Sequence, residues 1–222
     1  AVPRGEVILK RIIFPPGTAV SDLPGMVRLQ VMRQLTVSPE NAAIDFISSG
    51  GAGQSADLAK AGVIVLAGAL QGDRIEWRRE VARAAGLKVW RIALKATGVA
   101  TLLSEISSRR GCGIMGITLG CGSTEFVVVE HGQIVFARST DLVRPDPLSS
   151  GRAEEEAFAE KLAVEAKRTW MSYRVTPDSV EVESIVVLGS DDCAALVARR
   201  CQESLEVPGE FSAFPAFVNY PE

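Results

Sequence analysis

Residues Ile117–Ser139, ITLGCGSTEFVVVEHGQIVFARS, decide the fold. Three short apolar, β-branched segments stand close together: Gly113–Leu119 (GIMGITL), Glu125–Glu130 (EFVVVE) and Gln133–Arg138 (QIVFAR). Composition of this kind favours strands. The first two segments are joined by the small-residue turn Gly120–Thr124, the second pair by His131–Gly132. Links this short permit only antiparallel neighbours, because a parallel return needs a crossover of a dozen residues or more.

Outward from this meander, the grammar changes to helix and parallel strand. After the loop Asp141–Gly151, a long helix is predicted over Ala153–Tyr173, with Phe158, Leu162, Val164, Ala166 and Trp170 along it. Glu154–Glu156 fall in its first turn, where the helix dipole favours carboxylates. Ser184–Leu188 (SIVVL) then reads as a buried strand, Gly189–Asp192 as a turn and Cys193–Ser204 as a helix, with Leu205–Val207 as a further edge strand. Three antiparallel strands, a helix, a parallel strand and a helix are the order of a ribonuclease H-like half-domain. The expected fold class is therefore α/β.

The first half reads β-α-β-β-α-β-α. Glu6–Phe14 has strand character and stops at Pro15–Pro16, and Ser21 is placed to cap a helix with Pro24 in its first turn. Asn41–Ser48 and Val63–Ala69 read as strands around the Gly-rich loop Gly50–Gln54. Asp73–Ala85 is an amphipathic helix ended by Gly86, Leu87–Leu94 alternates like a strand, and Val99–Ile106 is helical. That order by itself suits a ferredoxin-like split β-α-β sandwich. The domain boundary is placed between residues 110 and 111.

Charge and spacing exclude several function classes. A net charge of −3 supplies no basic field for nucleic acid, and the pairs Arg78–Arg79, Arg109–Arg110 and Arg199–Arg200 read as solvated edges. The most apolar run, Gly62–Leu70, is far short of the ~20 residues of a membrane-spanning helix. Cys112, Cys121, Cys193 and Cys201 form no CxxC pair, and His131 is the sole histidine, so metal-site spacing is absent. A Ser-His-Asp triad would have to recruit His131 from a hairpin tip. Trp77, Trp90 and Trp170 lie on elements where core or groove packing is expected. The tail Phe211–Tyr220 is unusually aromatic for a terminus.

Two turns hold the functional question. Gly120, Cys121, Gly122, Ser123 and Thr124 have the composition needed where backbone N–H groups approach phosphate oxygens, although ordinary hairpins recruit the same residues. Gly189, Ser190 and Asp191 end a strand and open a helix, the usual ligand position in an open α/β sheet, while Asp191 or Asp192 also suffices as an N-cap.

The stretch Ile117–Ser139 resembles the second phosphate segment of the PilM family, actin-like proteins of type IV pilus assembly, and that of their relatives GspL and FtsA. In that family the strand reads DIGA-x-x-T, with a hairpin and an Arg following. FAEKLAVEAKRTWMSY (Phe158–Tyr173) resembles the family's long helix with its E-x-x-R pattern, here Glu165, Lys167 and Arg168. VVLGSDDCAALVARRCQESLEVP (Val186–Pro208) resembles the adenosine segment, normally strand-GGGA-helix and a short strand. VILKRIIFPP with ENAAIDF resembles the small inserted subdomain, covering about residues 1–50. VIVLAGALQGDRIEWRREVARAAGLKVWRIAL (Val63–Leu94) resembles the strand-helix-strand completing the first actin-like subdomain. The resemblance implies an actin-like fold: a partial first subdomain with its insertion over 1–110, and a ribonuclease H-like second subdomain over 111–222.

It also implies ATP with Mg²⁺ as the ligand, held by Thr118, the Gly120–Thr124 turn and the Gly189–Asp191 turn. Departures argue against turnover. The family's metal-side Asp falls at Thr118, and a neutral hydroxyl does not replace a carboxylate in holding Mg²⁺ or its waters. The GGGA turn is Gly189-Ser190-Asp191-Asp192, whose carboxylates repel a triphosphate unless a metal intervenes. The family's first phosphate loop is expected upstream of Ala1. Phosphoryl transfer depends on such groups, so the expectation is a cytoplasmic scaffold recruited to the inner face of the membrane, with weak or no ATP hydrolysis. Its partner would be the cytoplasmic segment of an inner-membrane assembly protein of a pilus or type II secretion machine; self-association is a further possibility of the family. The alternative is an active ATPase or small-molecule kinase completed by upstream residues, with Asp141 or Asp146 as the carboxylate base.

Overall fold

In the computed structural model the described residues are 1–33, 41–49, 62–107, 113–120, 122–130, 132–176, 179–189 and 192–212. They fall into two compact units, Ala1–Leu94 and Lys95–Glu222. His131, Cys112, Cys121, Ser190, Asp191, the Gly50–Gln54 loop, the Arg109–Arg110 pair and the tail beyond residue 212 lie outside the described residues.

In the first unit, β1 (Val7–Phe14), β2 (Ala42–Ser49) and β3 (Val63–Gln71) form an antiparallel sheet in the order β1-β3-β2. Between β1 and β2 in sequence, helix α1 (Leu23–Met32) carries Pro24 in its first turn. Its N-cap is Asp22 rather than the expected Ser21, whose hydroxyl instead donates to the Asp22 carboxylate at 3.2 Å. Leu23, Val27 and Val31 recur at helical spacing and are buried against Ile12, Phe14, Val65 and Ala67.

These are the first three strands of a split β-α-β arrangement, and the fourth is not formed. After α2 (Gly72–Ala84), residues 87–93 run without strand pairing; a bridge joins Val2 to Leu94, and the Val2 N–H donates to the Ala93 carbonyl at 2.8 Å. The alternation of Leu87–Leu94 meets the small sheet at its end: Ile92 and Leu94 pack against Val2, Val7 and Leu70, while Trp90 is 92% exposed and Leu87 is exposed too. Trp77 is likewise exposed, with the Arg78 guanidinium 5.5 Å from its ring centroid, so neither of these two tryptophans is a core residue. The family resemblance puts Val63–Leu94 in the first actin-like subdomain, yet β3 is the central strand of the small sheet.

The second unit opens with α3 (Lys95–Ser107), which sequence places before the 110/111 boundary. Its sheet has five strands: β4 (Gly113–Leu119), β5 (Thr124–Glu130), β6 (Gln133–Thr140), β7 (Val182–Leu188) and β8 (Gly209–Ser212), in the order β6-β5-β4-β7-β8. β4, β5 and β6 are antiparallel neighbours; β7 joins β4 in parallel, and β8 joins β7 in parallel. The edge strand expected at Leu205–Val207 therefore lies at Gly209–Ser212, because Leu205 still belongs to α5 (Asp192–Leu205), where it is buried.

The two faces of this sheet are covered differently. Alternate residues Met115, Ile117, Phe126, Val128, Ile185 and Val187 pack under α4 (Arg152–Arg174) and α5, through Phe158, Leu162, Ala166, Val197 and Ala198. The opposite face meets α3. At Gly116 the helix comes so close that a methyl there would lie 2.6 Å from Cδ1 of Leu103 and 3.1 Å from Cγ1 of Val99. Leu103 is fully buried. In a close-packed interior such an approach requires glycine on one side and a large apolar side chain on the other.

This pairing makes a quantitative expectation. Leu103→Ala should cost about 2–5 kcal/mol by opening a cavity, and Gly116→Ala should destabilise by overpacking. Combined, the two should couple favourably by about 0.5–3 kcal/mol, since the new methyl enters the vacated space. Urea unfolding of the four proteins checks it; strict additivity would show that Leu103 does not set the approach.

Candidate functional site

The β4–β5 turn is built by close backbone contact. A methyl at Gly120 would sit 2.5 Å from the Ser123 carbonyl oxygen and 3.3 Å from Nζ of Lys95. Among the described residues, nothing lies within 4 Å of the equivalent position of Gly122. Thr124, placed in the turn by sequence, is the first residue of β5; it is fully buried and its hydroxyl donates to the Leu142 carbonyl at 2.9 Å. Ser123 contributes its carbonyl to the turn, and Cys121 lies outside the described residues.

Thr118 stands next to this turn on the central strand, directly opposite Glu125 of β5 and Leu188 of β7. Residues so paired put their Cβ atoms about 4.5–5.5 Å apart on one face of the sheet. Here that is the face covered by α3. The Glu125 side chain is 0% exposed, and neither of its carboxylate oxygens accepts a hydrogen bond from another described residue; nor does the buried Thr118 hydroxyl have a partner. The charge facing Glu125 is the ammonium of Lys95, with Nζ 3.7 Å from Oε1. Lys95 is the first residue of α3, where the helix dipole disfavours a cation by roughly 0.3–1 kcal/mol. Its location is thus set by the buried carboxylate, whose desolvation costs several kcal/mol unless a cation is close.

Sequence reasoning missed both Lys95 and Glu125. The available signal was the register of TEFVVVE: Glu125 shares its face with Val127 and Val129, both buried, so a carboxylate there has to be either paired or neutral.

At the second turn, Gly189 follows β7, and a methyl there would run into Cβ of Ala194 at 2.6 Å. Ser190 and Asp191 lie outside the described residues, and Asp192 begins α5. Of the two candidate bases, Asp146 is engaged in its own loop: its carboxylate accepts from the Leu148 N–H at 3.0 Å and the Ser149 hydroxyl at 3.1 Å. Asp141 is exposed. No cluster of three or more His, Cys, Asp or Glu side chains able to hold a metal occurs among the described residues.

The Arg after the hairpin and the E-x-x-R of the long helix meet away from the turn. Arg138 on β6 donates to the Glu165 carboxylate at 2.7 Å and to the Thr169 hydroxyl at 2.8 Å, and Arg168 donates to the other Glu165 oxygen. The Glu165 side chain is only 13% exposed. Burial pushes its pKa up, but the hydrogen bonds and charges of Arg138 and Arg168 outweigh this and hold it below 4.5. The group locks β6 to α4. Arg174 lies over the Trp170 ring at 4.9 Å on the same helix. Both described cysteines, Cys193 and Cys201, are buried thiols outside any disulfide in the α5 core, and burial pushes Cys201 up to about 12, which keeps it protonated.

No protein-family model matches the sequence, and no curated protein matches it. Solved structures do. The chain is similar to one in a PilM–PilN type IV pilus biogenesis complex, with a TM-score of 0.75 at 18% identity, over 94% of this chain and 67% of that one. It is also similar to a protein of Bacteroides thetaiotaomicron with an actin-like ATPase fold and unknown function, with a TM-score of 0.51 at 11% identity, over 94% of this chain and 65% of that one. The chain thus has an actin-like fold and spans about two thirds of the length of each of these structures.

A depressed carboxylate pKa stabilises the fold above the unfolded-state pKa, and that contribution is lost as pH falls through the folded-state value. Between about pH 7 and about pH 3, Glu165→Gln should therefore lose less stability than the native chain, starting from a lower value. Chemical denaturation at several pH values reads this; parallel curves would mean the Arg138–Glu165–Arg168 group does not contribute through its charge.

Proposed function

We propose that this chain is an actin-like scaffold of a type IV pilus or related secretion assembly machine. It works at the cytoplasmic face of the inner membrane, binds the cytoplasmic segment of a membrane assembly protein, and hydrolyses ATP weakly or not at all. The observation that carries the assembly role is the likeness to the chain of the PilM–PilN complex across 94% of this sequence. No described helix is long and apolar enough to cross a membrane, which is compatible with recruitment by a partner.

The weak-turnover part rests on the charges around the β4–β5 turn. Stabilising a transferring phosphoryl group requires a metal and fixed groups that compensate the developing charge. Thr118 offers a hydroxyl where a carboxylate is needed, and the adjacent carboxylate of Glu125 is already matched by Lys95. The kinase alternative has less support, because Asp146 is held by its loop hydrogen bonds.

Two measurements test the proposal. In a pull-down, the cytoplasmic segment of a PilN-like membrane protein should retain this chain, and the free peptide should compete it off; no retention of folded chain would remove the scaffold reading. In a coupled assay, Mg²⁺-ATP turnover should fall far below the ~10 s⁻¹ typical of enzymes and be unchanged by Gly122→Asp. Turnover near that value, lost in Gly122→Asp, would restore the ATPase reading.

A further inference from the structure

An actin-like ATPase implies Mg²⁺ beside its phosphate turn, and the residues around Gly120 do not fit that ion. Mg²⁺ takes hard oxygen ligands in a strict octahedron and is usually anchored by one or two carboxylates. Thr118 supplies a hydroxyl, and Glu125, the buried carboxylate on this face among the described residues, has an ammonium 3.7 Å away. A divalent ion entering beside Oε1 would meet that ammonium as a like charge.

We infer that the Lys95 ammonium is the resident cation of the β4–β5 turn, held there by Glu125 in place of a divalent metal. The inference rests on reading this hairpin as an actin-like phosphate turn. Three features support it. Glu125 is fully buried, and its carboxylate oxygens have no hydrogen bond from the described residues, so in its ionised form it requires a positive charge nearby. Lys95 occupies the first position of α3, against the helix dipole, so the carboxylate and not the helix fixes it. Nζ also lies 3.3 Å from the point where a Cβ on Gly120 would be, which puts the charge beside the turn backbone, with the Lys95 side chain 31% exposed. The contact of 3.7 Å is longer than the roughly 2.7–2.9 Å of a charge-assisted hydrogen bond, so it acts through charge rather than through a directed donor.

A phosphate-bearing ligand at this turn would accordingly bind without help from a divalent ion. Removing the ammonium should uncover a cation site, because Glu125 and the Thr118 hydroxyl share one face with no other described partner.

The experiment is a Mn²⁺ titration without nucleotide, read by the paramagnetic resonance signal of the free ion. The native chain and Lys95→Arg should show no saturable binding below the millimolar range. Lys95→Met/Thr118→Asp should bind Mn²⁺ at least tenfold more tightly than the native chain. Saturable micromolar binding by the native chain that disappears in Glu125→Gln would overturn the inference, as would a folded double variant with no gain. Because that variant places charge in a buried site, a second measurement uses the native chain alone. The ¹³C-dimethyl resonance of Lys95, identified by its loss in Lys95→Arg, should shift in Glu125→Gln and stay unmoved by Mg²⁺. A Mg²⁺-dependent shift would overturn the inference. ATP calorimetry separates this from the broader reading: binding that requires Mg²⁺ would defeat the resident-cation inference and leave the phosphate turn intact. Loss of partner retention in the pull-down would defeat the scaffold and leave the Mn²⁺ result standing.

Discussion

An ionised carboxylate buried in a strand needs a cation close by, and in this chain that requirement joins a helix to a sheet. Glu125 cannot turn to solvent: its register on β5 sends it to the α3 face with Val127 and Val129, while Phe126 and Val128 hold the opposite face of the strand in the α4–α5 core. A shift of one residue would send Glu125 into the α4–α5 core and Phe126 and Val128 to the α3 face. The charge therefore comes to Glu125, from the first residue of α3. At about 4 Å and an effective dielectric of about 20, such an attraction is worth roughly 4 kcal/mol, similar to the several kcal/mol lost in desolvating an ion. The pair roughly balances its own cost. Its consequence is geometrical, since it fixes where α3 begins against the sheet, which in turn places Leu103 over Gly116.

A second charged group does comparable work at the other side of the sheet. Glu165 accepts from Arg138 on β6 and from Arg168 one turn on, and Thr169 shares the Arg138 guanidinium. The sheet and its long helix are thereby tied by bonds that are directional, unlike the apolar packing of Phe158, Leu162 and Ala166 nearby. These residues carry the resemblance in the sequence, an Arg after a hairpin and an E-x-x-R in a helix. They touch one another and not the β4–β5 turn, so the resemblance in this region reports architecture.

Much of the second unit is legible because its links are short. Two tight turns force β4, β5 and β6 to be antiparallel neighbours before any packing is considered, and the apolar run at Val182–Leu188 has to be buried on both faces. The first unit offers no such constraint. Leu87–Leu94 alternates like a strand, but pairing needs a free edge in register, and among the described residues the segment bridges to Val2 at its end, through Ala93 and Leu94. The membership of β3 is equally hidden, because its Val-, Ile- and Leu-rich sequence suits the centre of any sheet. The displaced β8 follows from helix continuation: α5 runs through Leu205 because that side chain is buried, and the strand must wait for the chain to turn at Glu206, which has φ of 56°. At the candidate site, the turn glycines could be found by composition. The Lys95–Glu125 pair could not, since thirty positions of sequence separate two residues that only the α3–sheet packing brings together.

Glycines and charges in this turn answer to different constraints. Gly120 is required by the Ser123 carbonyl crossing beneath it, and Gly189 by the Ala194 methyl, so both would be retained in this fold whether or not a phosphate ever approached. A Gly-rich signature at these positions therefore indicates the backbone path and says little about chemistry. Chemistry resides in the charges: an uncharged Thr118, a buried Glu125 and an ammonium lying against the turn. They do not set the backbone path of the turns, which the close approaches at the two glycines do. In the proposed reading, the ammonium of Lys95 stands beside Glu125 where a metal-dependent site would take an ion from solution.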